Sequence, residues 1–538
     1  MYKKICNILI LGLIPVLAFA QDKLTINLET VGSVASEDKL MPHYQYANNW
    51  GIMSFDQASH FLLIGELSYR LAAHKNFSLK AGVSGVVKDR TDESFLHQAY
   101  LRGKAFQVID FSIGKEAFTP VSYNDRLTMG GFLINSNARP IPKVTLGIYD
   151  YLPLPFLNNK VEIRGGITHG WLNDNRTVGG QGNSADNTLL HEKWAYARLG
   201  KAKIQPYAGL VHSSIYGGTR PDGTKIPIDF WPTFFAKGSE KIGGGEANNA
   251  AGAHEGFWDF GVYAKTNWGN LQLYWQKPFN DGSGMCLNKM NNRDFKIGGI
   301  LQIKESKLVK NISLEVLRTD YQSGSGIPDP LFPAGHPKEG QMLNLREVKD
   351  YDAFMLENFN LTTSGWSRDD VVHYFQQEFN NGQKYGGRDD YNNNGTYYNG
   401  WAYHGQSFGL PLYHSQAQLE RYAPEWQSNT KVFFKNTRIR AFHIGIDGDL
   451  GKGFSYLLKS TYSKNYGSYS EQYTRRYSSV EKDDYLFKGA KNQVYSNLEL
   501  NYQCKKLQNL NLKSSFSFDR GELYNSCGIT LGVRYNFL

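Results

Sequence analysis

Gly405-Gln406-Ser407-Phe408-Gly409 spells a catalytic pattern. A serine between glycines at this spacing is the nucleophile elbow of α/β-hydrolases. That chemistry needs a strand-to-helix turn on a parallel sheet, with a histidine and an acid at hand. No strand–helix alternation surrounds Ser407, so no enzymatic role is expected. His191-Glu192 and His254-Glu255 lack the second histidine of a zinc-protease helix, and the histidines as a set show no ligand spacing; neither metal nor cofactor is expected. Asp390-Tyr391-Asn392-Asn393-Asn394-Gly395 places oxygen side chains at alternate positions ahead of a turn glycine, like the front of a calcium loop. The twelfth position is Trp401 rather than glutamate. An Asn/Gly turn whose side chains bond their own backbone is the preferred reading. Binding is better represented than catalysis. Tyr385, Arg388, Asp389, Tyr391, Tyr397, Tyr398, Trp401, Tyr403 and His404 set aromatic rings beside amides and charges. Aromatic faces pack on the C–H faces of sugars, while Arg, Asn and Asp reach hydroxyls and uronate carboxylates. A carbohydrate surface is one reading of this cluster, and internal packing is the other.

These side chains need a scaffold, and its clearest piece is the last strand. Ile529, Leu531, Val533, Tyr535 and Phe537 alternate with Gly528, Thr530, Gly532, Arg534 and Asn536. A period of two gives one apolar and one polar face. Similar segments fall at 24–34, 61–72, 77–87, 94–102, 106–115, 142–150, 161–171, 193–200 and 204–214. They continue at 257–266, 271–279, 294–303, 312–321, 438–448, 454–463, 493–504, 510–518 and 527–537. Short connections alternate with long ones; the second hairpin, 94–102 with 106–115, is closed around Gly103. The pattern predicts an all-β fold, an antiparallel transmembrane β-barrel of about 18 strands, with 16 as the other count. Both termini and the short turns share one side, and the long loops the other. The insertion 322–436 is too long for a plain loop. Ser367 and Asp370 form a capping-box start for a helix through Val371, Phe375 and Phe379, and a second helix is predicted within 347–359. A partly helical cap or plug over the outer mouth is expected.

Composition agrees with a wet lumen and a lipid-facing wall. Mean hydropathy is −0.47, yet the chain holds 34 Tyr, 31 Phe and 55 Gly. Residues 1–20 read as a signal peptide, with Lys3 and Lys4 before a short apolar run and Ala18-Phe19-Ala20 as the cleavage site. The rest, 21–538, is read as one barrel, exported to the outer membrane. Cys286, Cys504 and Cys527 make an odd count, which argues against a disulfide framework. The formal charge of +9 becomes +7 without Lys3 and Lys4. Because 322–436 carries 9 basic and 13 acidic residues, the remainder is strongly basic, which favours an anionic ligand.

Several runs resemble a known family. They are Pro42-His43-Tyr44-Gln45-Tyr46-Ala47-Asn48-Asn49-Trp50-Gly51, Gly130-Gly131-Phe132-Leu133-Ile134-Asn135-Ser136-Asn137-Ala138-Arg139-Pro140, and Asp320-Tyr321-Gln322-Ser323-Gly324. The longest extends from Gly387-Arg388-Asp389-Asp390 through Gly400-Trp401-Ala402-Tyr403-His404-Gly405 to Gly409-Leu410-Pro411. In their order they resemble the Wzi-type capsule assembly proteins of Gram-negative bacteria. The resemblance implies an eighteen-stranded, occluded outer-membrane barrel that holds capsular polysaccharide as a lectin. Enterobacterial members carry a helical bundle ahead of the barrel, whereas here Leu24 begins a strand. The contacts expected are Arg126, Asn135, Asn137, Arg139, Arg388, Tyr391, Trp401, Tyr403 and His404; for Arg126 and Arg139, a salt bridge bracing the lumen is the structural alternative. The partners expected are capsular or other surface polysaccharide and outer-membrane lipid, with no nucleic acid, for a monomer. A porin for small anionic solutes is the alternative function.

Overall fold

The computed structural model describes residues 23–36, 40–120, 124–176, 184–243, 250–280, 284–285, 287, 293–323, 329–379, 390–428, 432–473 and 481–537. The signal-peptide reading, Cys286, Tyr385, Arg388 and Asp389 lie outside the described residues.

Eighteen antiparallel strands close into one barrel. The first, Leu24–Ala35, pairs with the last, Ser526–Asn536, with Val34 opposite Ile529 and Leu28 opposite Tyr535. Closure leaves no strand edge unpaired, as a hydrocarbon surrounding demands. The last strand shows why this sequence makes a membrane wall. Ile529, Leu531, Val533, Tyr535 and Phe537 are exposed on the outside, while Thr530 is buried inward. Along the neighbouring strands Leu498, Leu512, Phe516, Phe518, Leu458 and Phe442 continue the exposed apolar band. In water such a band would be a large unfavourable surface; against acyl chains it is the matching one. No helix among the described residues is long and apolar enough to cross a membrane. The strands cross instead.

Short turns at 75–76, 106–108 and 452–453 lie at one end. The long connections, at 36–58, 116–141, 217–252 and 319–438, lie at the other, which is the outer rim by the rule for such barrels. One hairpin differs from expectation. The strand expected to stop before Gly103 runs on as Phe95–Ala105, and the turn is made by Phe106 and Gln107, with φ of 53° and 62°. Gly103 stands opposite Phe111, where a Cβ would lie 2.3 Å from the Phe111 ring. The glycine makes room for a ring, not for a bend.

The insertion divides in two. Its first half holds helices Tyr351–Phe359 and Arg368–Glu378. Ser367 accepts from the Asp370 N–H and Asp370 accepts from the Ser367 N–H, the expected capping box. Phe332, Leu343, Leu345, Met355, Val371, Val372 and Phe375 give this lobe its own small core. The second half, 390–436, joins 40–58 and 124–141 inside the barrel. Cys504 and Cys527 are free thiols.

Candidate binding site at the outer rim

Three segments fill the lumen, and each is bonded to the wall. From 40–58, the His43 N–H donates to Asp519 at 2.7 Å, and the Tyr44 hydroxyl meets Thr461 at 2.5 Å. From 124–141, the Met129 N–H donates to Glu315 at 2.6 Å. Lys296 reaches both the Gly130 carbonyl at 2.5 Å and Glu315 at 2.8 Å. This ion pair is buried, so removing either member would strand a charge at a cost of about 3–5 kcal/mol. From 390–436, the Asn392 N–H donates to Glu255 and Trp401 Nε1 to Ser213 at 3.4 Å. A barrel wall is apolar outside and polar inside, so a plug can be held by polar wall residues without disturbing the lipid face.

The segments are also stitched to one another. Asn135 donates to Asn48 and to the Gly409 carbonyl, both at 3.0 Å. Asn137 donates to the Ser407 carbonyl at 2.7 Å and accepts from the Asn48 N–H at 3.2 Å. Gly409 lies so close to the Phe132 carbonyl that a Cβ would meet its oxygen at 2.0 Å. Arg176, fully buried, pairs with Asp174 at 2.9 Å and donates to the Gly400 and Ala402 carbonyls. Its role was not visible in the sequence, because its partners are backbone carbonyls far along the chain.

Most of the side chains expected to touch a ligand are therefore in the packing of the plug. Trp401 is 1 % exposed and Tyr391 3 %. The Tyr391 hydroxyl accepts from the Ser323 N–H at 2.6 Å. Tyr403 donates to Asn173 at 3.0 Å, and burial pushes its hydroxyl pKa up, so it stays protonated. Asn135 and Asn137 are buried between loops. In this arrangement none of these five offers a face to a surface polymer, because a closed lumen needs a core and they are that core. Arg126 makes the salt bridge weighed as its alternative role, with its side chain still largely exposed. Its connection dips through the barrel, and the guanidinium pairs with Glu499 at 2.5 Å in a lower cavity. Ser407 is buried in a two-residue strand, its Oγ accepting from Asn392 at 3.1 Å and from the Gly409 N–H at 3.0 Å. The Asp390–Gly395 run is a turn: Asn394 accepts from the Thr396 N–H at 2.8 Å, and Asn393 bonds both main-chain groups of Phe434 at 2.9 Å.

Two expected residues do meet at an accessible place. Arg139 and His404 line a cleft of about 320 Å³ with Asp56, Gln57, Glu93, Phe95 and Gln406. It lies among the connections 36–58 and 89–94 at the outer rim. The Arg139 guanidinium lies 3.7 Å from the centre of the Phe95 ring. Gly51, at φ 63°, lets the chain pass under it; a Cβ there would meet Arg139 Cγ at 2.6 Å. Burial draws the Arg139 pKa down from its ordinary value, but an arginine has ample margin to stay charged at neutral pH. His404 lies with part of its ring in solvent, and its N–H of the main chain donates to Asp174 at 2.9 Å. Burial of its surroundings, then the Arg139 charge, hold its pKa near about 4, so it is neutral. Glu93 gathers Gln57 at 2.6 Å and Lys88 at 3.1 Å. The cleft thus offers a fixed cation on an aromatic shelf, acceptors on Asp56 and Glu93, and amides on Gln57 and Gln406. Phe95, Asp56 and Gln57 carry no local sequence signal; only the strand register brings them beside Arg139.

Below the plug lies a second cavity of about 470 Å³, lined by Arg126, Lys459, Lys513 and Arg534 against Glu29, Glu66 and Glu499. Lys513 pairs with Glu499 at 2.9 Å and Arg534 with Glu66 at 2.7 Å.

No family model matches the sequence, and no curated protein does either. Solved structures do. The chain is similar to Wzi of Escherichia coli, described as an outer membrane protein involved in group 1 capsule assembly and a carbohydrate-binding β-barrel. The identity is 12 %, covering 95 % of this chain and 84 % of that one, with a TM-score of 0.52. It also matches OccK5 (OpdH) of Pseudomonas aeruginosa at 11 % identity, covering 96 % and 98 %, TM-score 0.44, and OccAB4 of Acinetobacter baumannii at 10 % identity, covering 96 % and 97 %, TM-score 0.41. At these identities the likeness is one of fold: a closed outer-membrane-type barrel.

Proposed function

We propose that this chain is a surface polysaccharide-binding barrel of the capsule assembly type, exported to the outer membrane by residues 1–20 and non-enzymatic. The observation that carries the reading is the Arg139–Phe95 pair and His404 in a cleft at the outer rim, above a lumen filled by the chain itself. A guanidinium on a ring can bond a uronate carboxylate through both nitrogens while the ring edge and neighbouring amides take C–H faces and hydroxyls. Three of the runs that carry the family resemblance supply residues of that cleft, through Gly51, Arg139, His404 and Gln406, which supports the same reading. In it, Arg139 and His404 contact polymer, the helical lobe of 322–436 stands at the outer mouth, and Tyr391, Trp401, Tyr403, Asn135 and Asn137 hold the cleft in place.

The test pairs two measurements on one preparation of purified full chain. It should bind an acidic capsular polysaccharide in calorimetry and remain silent in a planar bilayer. Arg139→Ala should weaken binding by about tenfold to a hundredfold, the worth of a charged hydrogen bond, with heat-modifiable barrel mobility unchanged. Steady conductance without polymer binding would sink the proposal. It would favour the second reading, an anion porin, for which the lower cavity with Arg126, Lys459, Lys513 and Arg534 is the supporting feature.

A further inference from the structure

Part of one long connection lies outside the barrel. On strand Thr188–Leu199, Glu192 and Tyr196 face inward, to Lys143 at 3.2 Å and Asp259 at 3.0 Å. By alternation His191 and Lys193 face outward, onto the wall that meets lipid. Residues 230–235 of the connection after the next strand lie over them. The His191 ring lies 4.9 Å from Phe234 and 5.9 Å from Phe230. Lys193 donates to the Phe234 carbonyl, and its ammonium lies 3.8 Å from the centre of the Phe234 ring. Farther round, His212 meets His254 at 3.1 Å, and His254 contacts the Ala251 carbonyl at 2.9 Å. The short helix Phe230–Phe234 thus lies against the outside of the barrel, with Ile228, Trp231 and Phe235 exposed around it.

Below Phe234 the wall is hollowed. Leu146, Ile148, Ile167, Ala195 and Leu210 line a trough of about 520 Å³. Its floor includes Gly165, where a Cβ would press on the Trp194 carbonyl at 2.8 Å. Lys193 lines the trough, and Lys237 lies on the covering connection; the two ammonium groups are 5.9 and 6.0 Å from the centre of the Phe235 ring. Lys193 has the Phe234 carbonyl as its hydrogen-bond acceptor. A cation on a lipid-facing wall is costly unless it meets an anion, and the trough beside it is lined mostly by apolar side chains.

We propose that this trough binds one lipid of the outer leaflet, a phosphate-bearing glycolipid of the lipid A class, with an acyl chain along Leu146, Ile167 and Ala195 and a phosphate on Lys193 and Lys237. The outer leaflet is indicated because the covering connection hangs from the long-connection rim. The site is independent of polymer binding, since it lies on the opposite side of the wall from the cleft.

Native mass spectrometry of the detergent-purified full chain tests it, with lipid A, phosphatidylglycerol and phosphatidylcholine as separate probes. One lipid A adduct per barrel is expected to survive detergent release. Ala195→Phe fills the trough and should lower its occupancy by about tenfold or more, the equivalent of two or three lost methylene contacts. Lys193→Gln with Lys237→Gln should lower it while leaving phosphatidylcholine adducts unchanged. Equal occupancy by phosphatidylcholine, or a preference for phosphatidylglycerol, would overturn the assignment, as would indifference to Ala195→Phe. If Ala195→Phe fails to assemble, the exposed Lys237→Gln change and quenching of Trp231 by lipid A with brominated chains decide the matter: no quenching refutes it.

Discussion

Trp401→Ala separates a packing residue from a contact residue. The indole is buried at the centre of the plug, with its Nε1 at 3.4 Å from Ser213. Truncating a buried tryptophan costs about 3–5 kcal/mol through lost burial and the cavity left behind, and the long hydrogen bond adds little. The wall is untouched, because its ladder runs between neighbouring strands and its outer face meets lipid. The loss falls on the plug, whose filled-to-released ratio should drop by about two to three and a half orders of magnitude at 1.4 kcal/mol per tenfold. The assay is single-channel recording beside polymer calorimetry and gel mobility. The variant is expected to run as a folded barrel, to show conducting bursts where the parent chain is silent, and to lose polymer affinity because His404, three residues on, is no longer held. Arg139→Ala should lose affinity with no conductance. If Trp401→Ala stays silent and loses affinity just as Arg139→Ala does, Trp401 touches polymer and the assignment of the plug core is wrong.

Other outcomes follow from the same geometry. Arg139→Lys should recover only part of the affinity lost in Arg139→Ala, because an ammonium cannot make the planar two-nitrogen contact; full recovery would argue for a point charge alone, read by the same calorimetry. His43 and His414 are both buried in the plug, and burial lowers the pKa of each, to about 4 for His414. The folded plug therefore binds fewer protons than the released one between about pH 4 and the ordinary histidine value near 6.5. Their contribution is fully present above pH 6.5 and is lost as pH falls toward 4, so bursts should appear on acidification, and His414→Gln should flatten that dependence. Gly409→Ala should release the plug without unfolding the wall, since its Cβ would lie 2.0 Å from the Phe132 carbonyl oxygen. Conductance at normal barrel mobility is the readout.

The wall was legible because a strand with two different surroundings must alternate. The run Ile529 to Phe537 gives a two-faced strand, and the recurrence of such segments along the chain gives the barrel; the capping box at Ser367 and Asp370 states a helix start in four residues. Where the reading slipped, the cause was a signal with two meanings. Gly103 looked like a turn because glycine permits one, but here its missing Cβ admits the Phe111 ring. The aromatic and amide cluster near Trp401 had the composition of a sugar-binding surface, and also that of a polar plug core, since both need rings and hydrogen-bond partners side by side. Local sequence cannot distinguish them. The choice is made by contacts with Ser213, Glu255 and Phe132, which are more than a hundred residues away. The cleft was half legible for the same reason: Arg139 and His404 stood out by type, while Phe95 is brought to them only by strand pairing.

Net charge gave the least direct guidance. Outside 322–436 the chain is strongly basic, yet many of its cations are bonded within the barrel. Lys296 is held by Glu315 at 2.8 Å, Arg126 and Lys513 by Glu499, and Arg534 by Glu66. Inside the insertion, Lys435 is likewise held by Glu471 at 2.9 Å. A cation already neutralised by a buried carboxylate exerts little pull on a polymer. What matters for recognition is a fixed cation that keeps a face to solvent and is not held in a close ion pair. Arg139 meets that description in the rim cleft, where it stacks on Phe95, so its removal should change polymer affinity more than the loss of any of those paired cations.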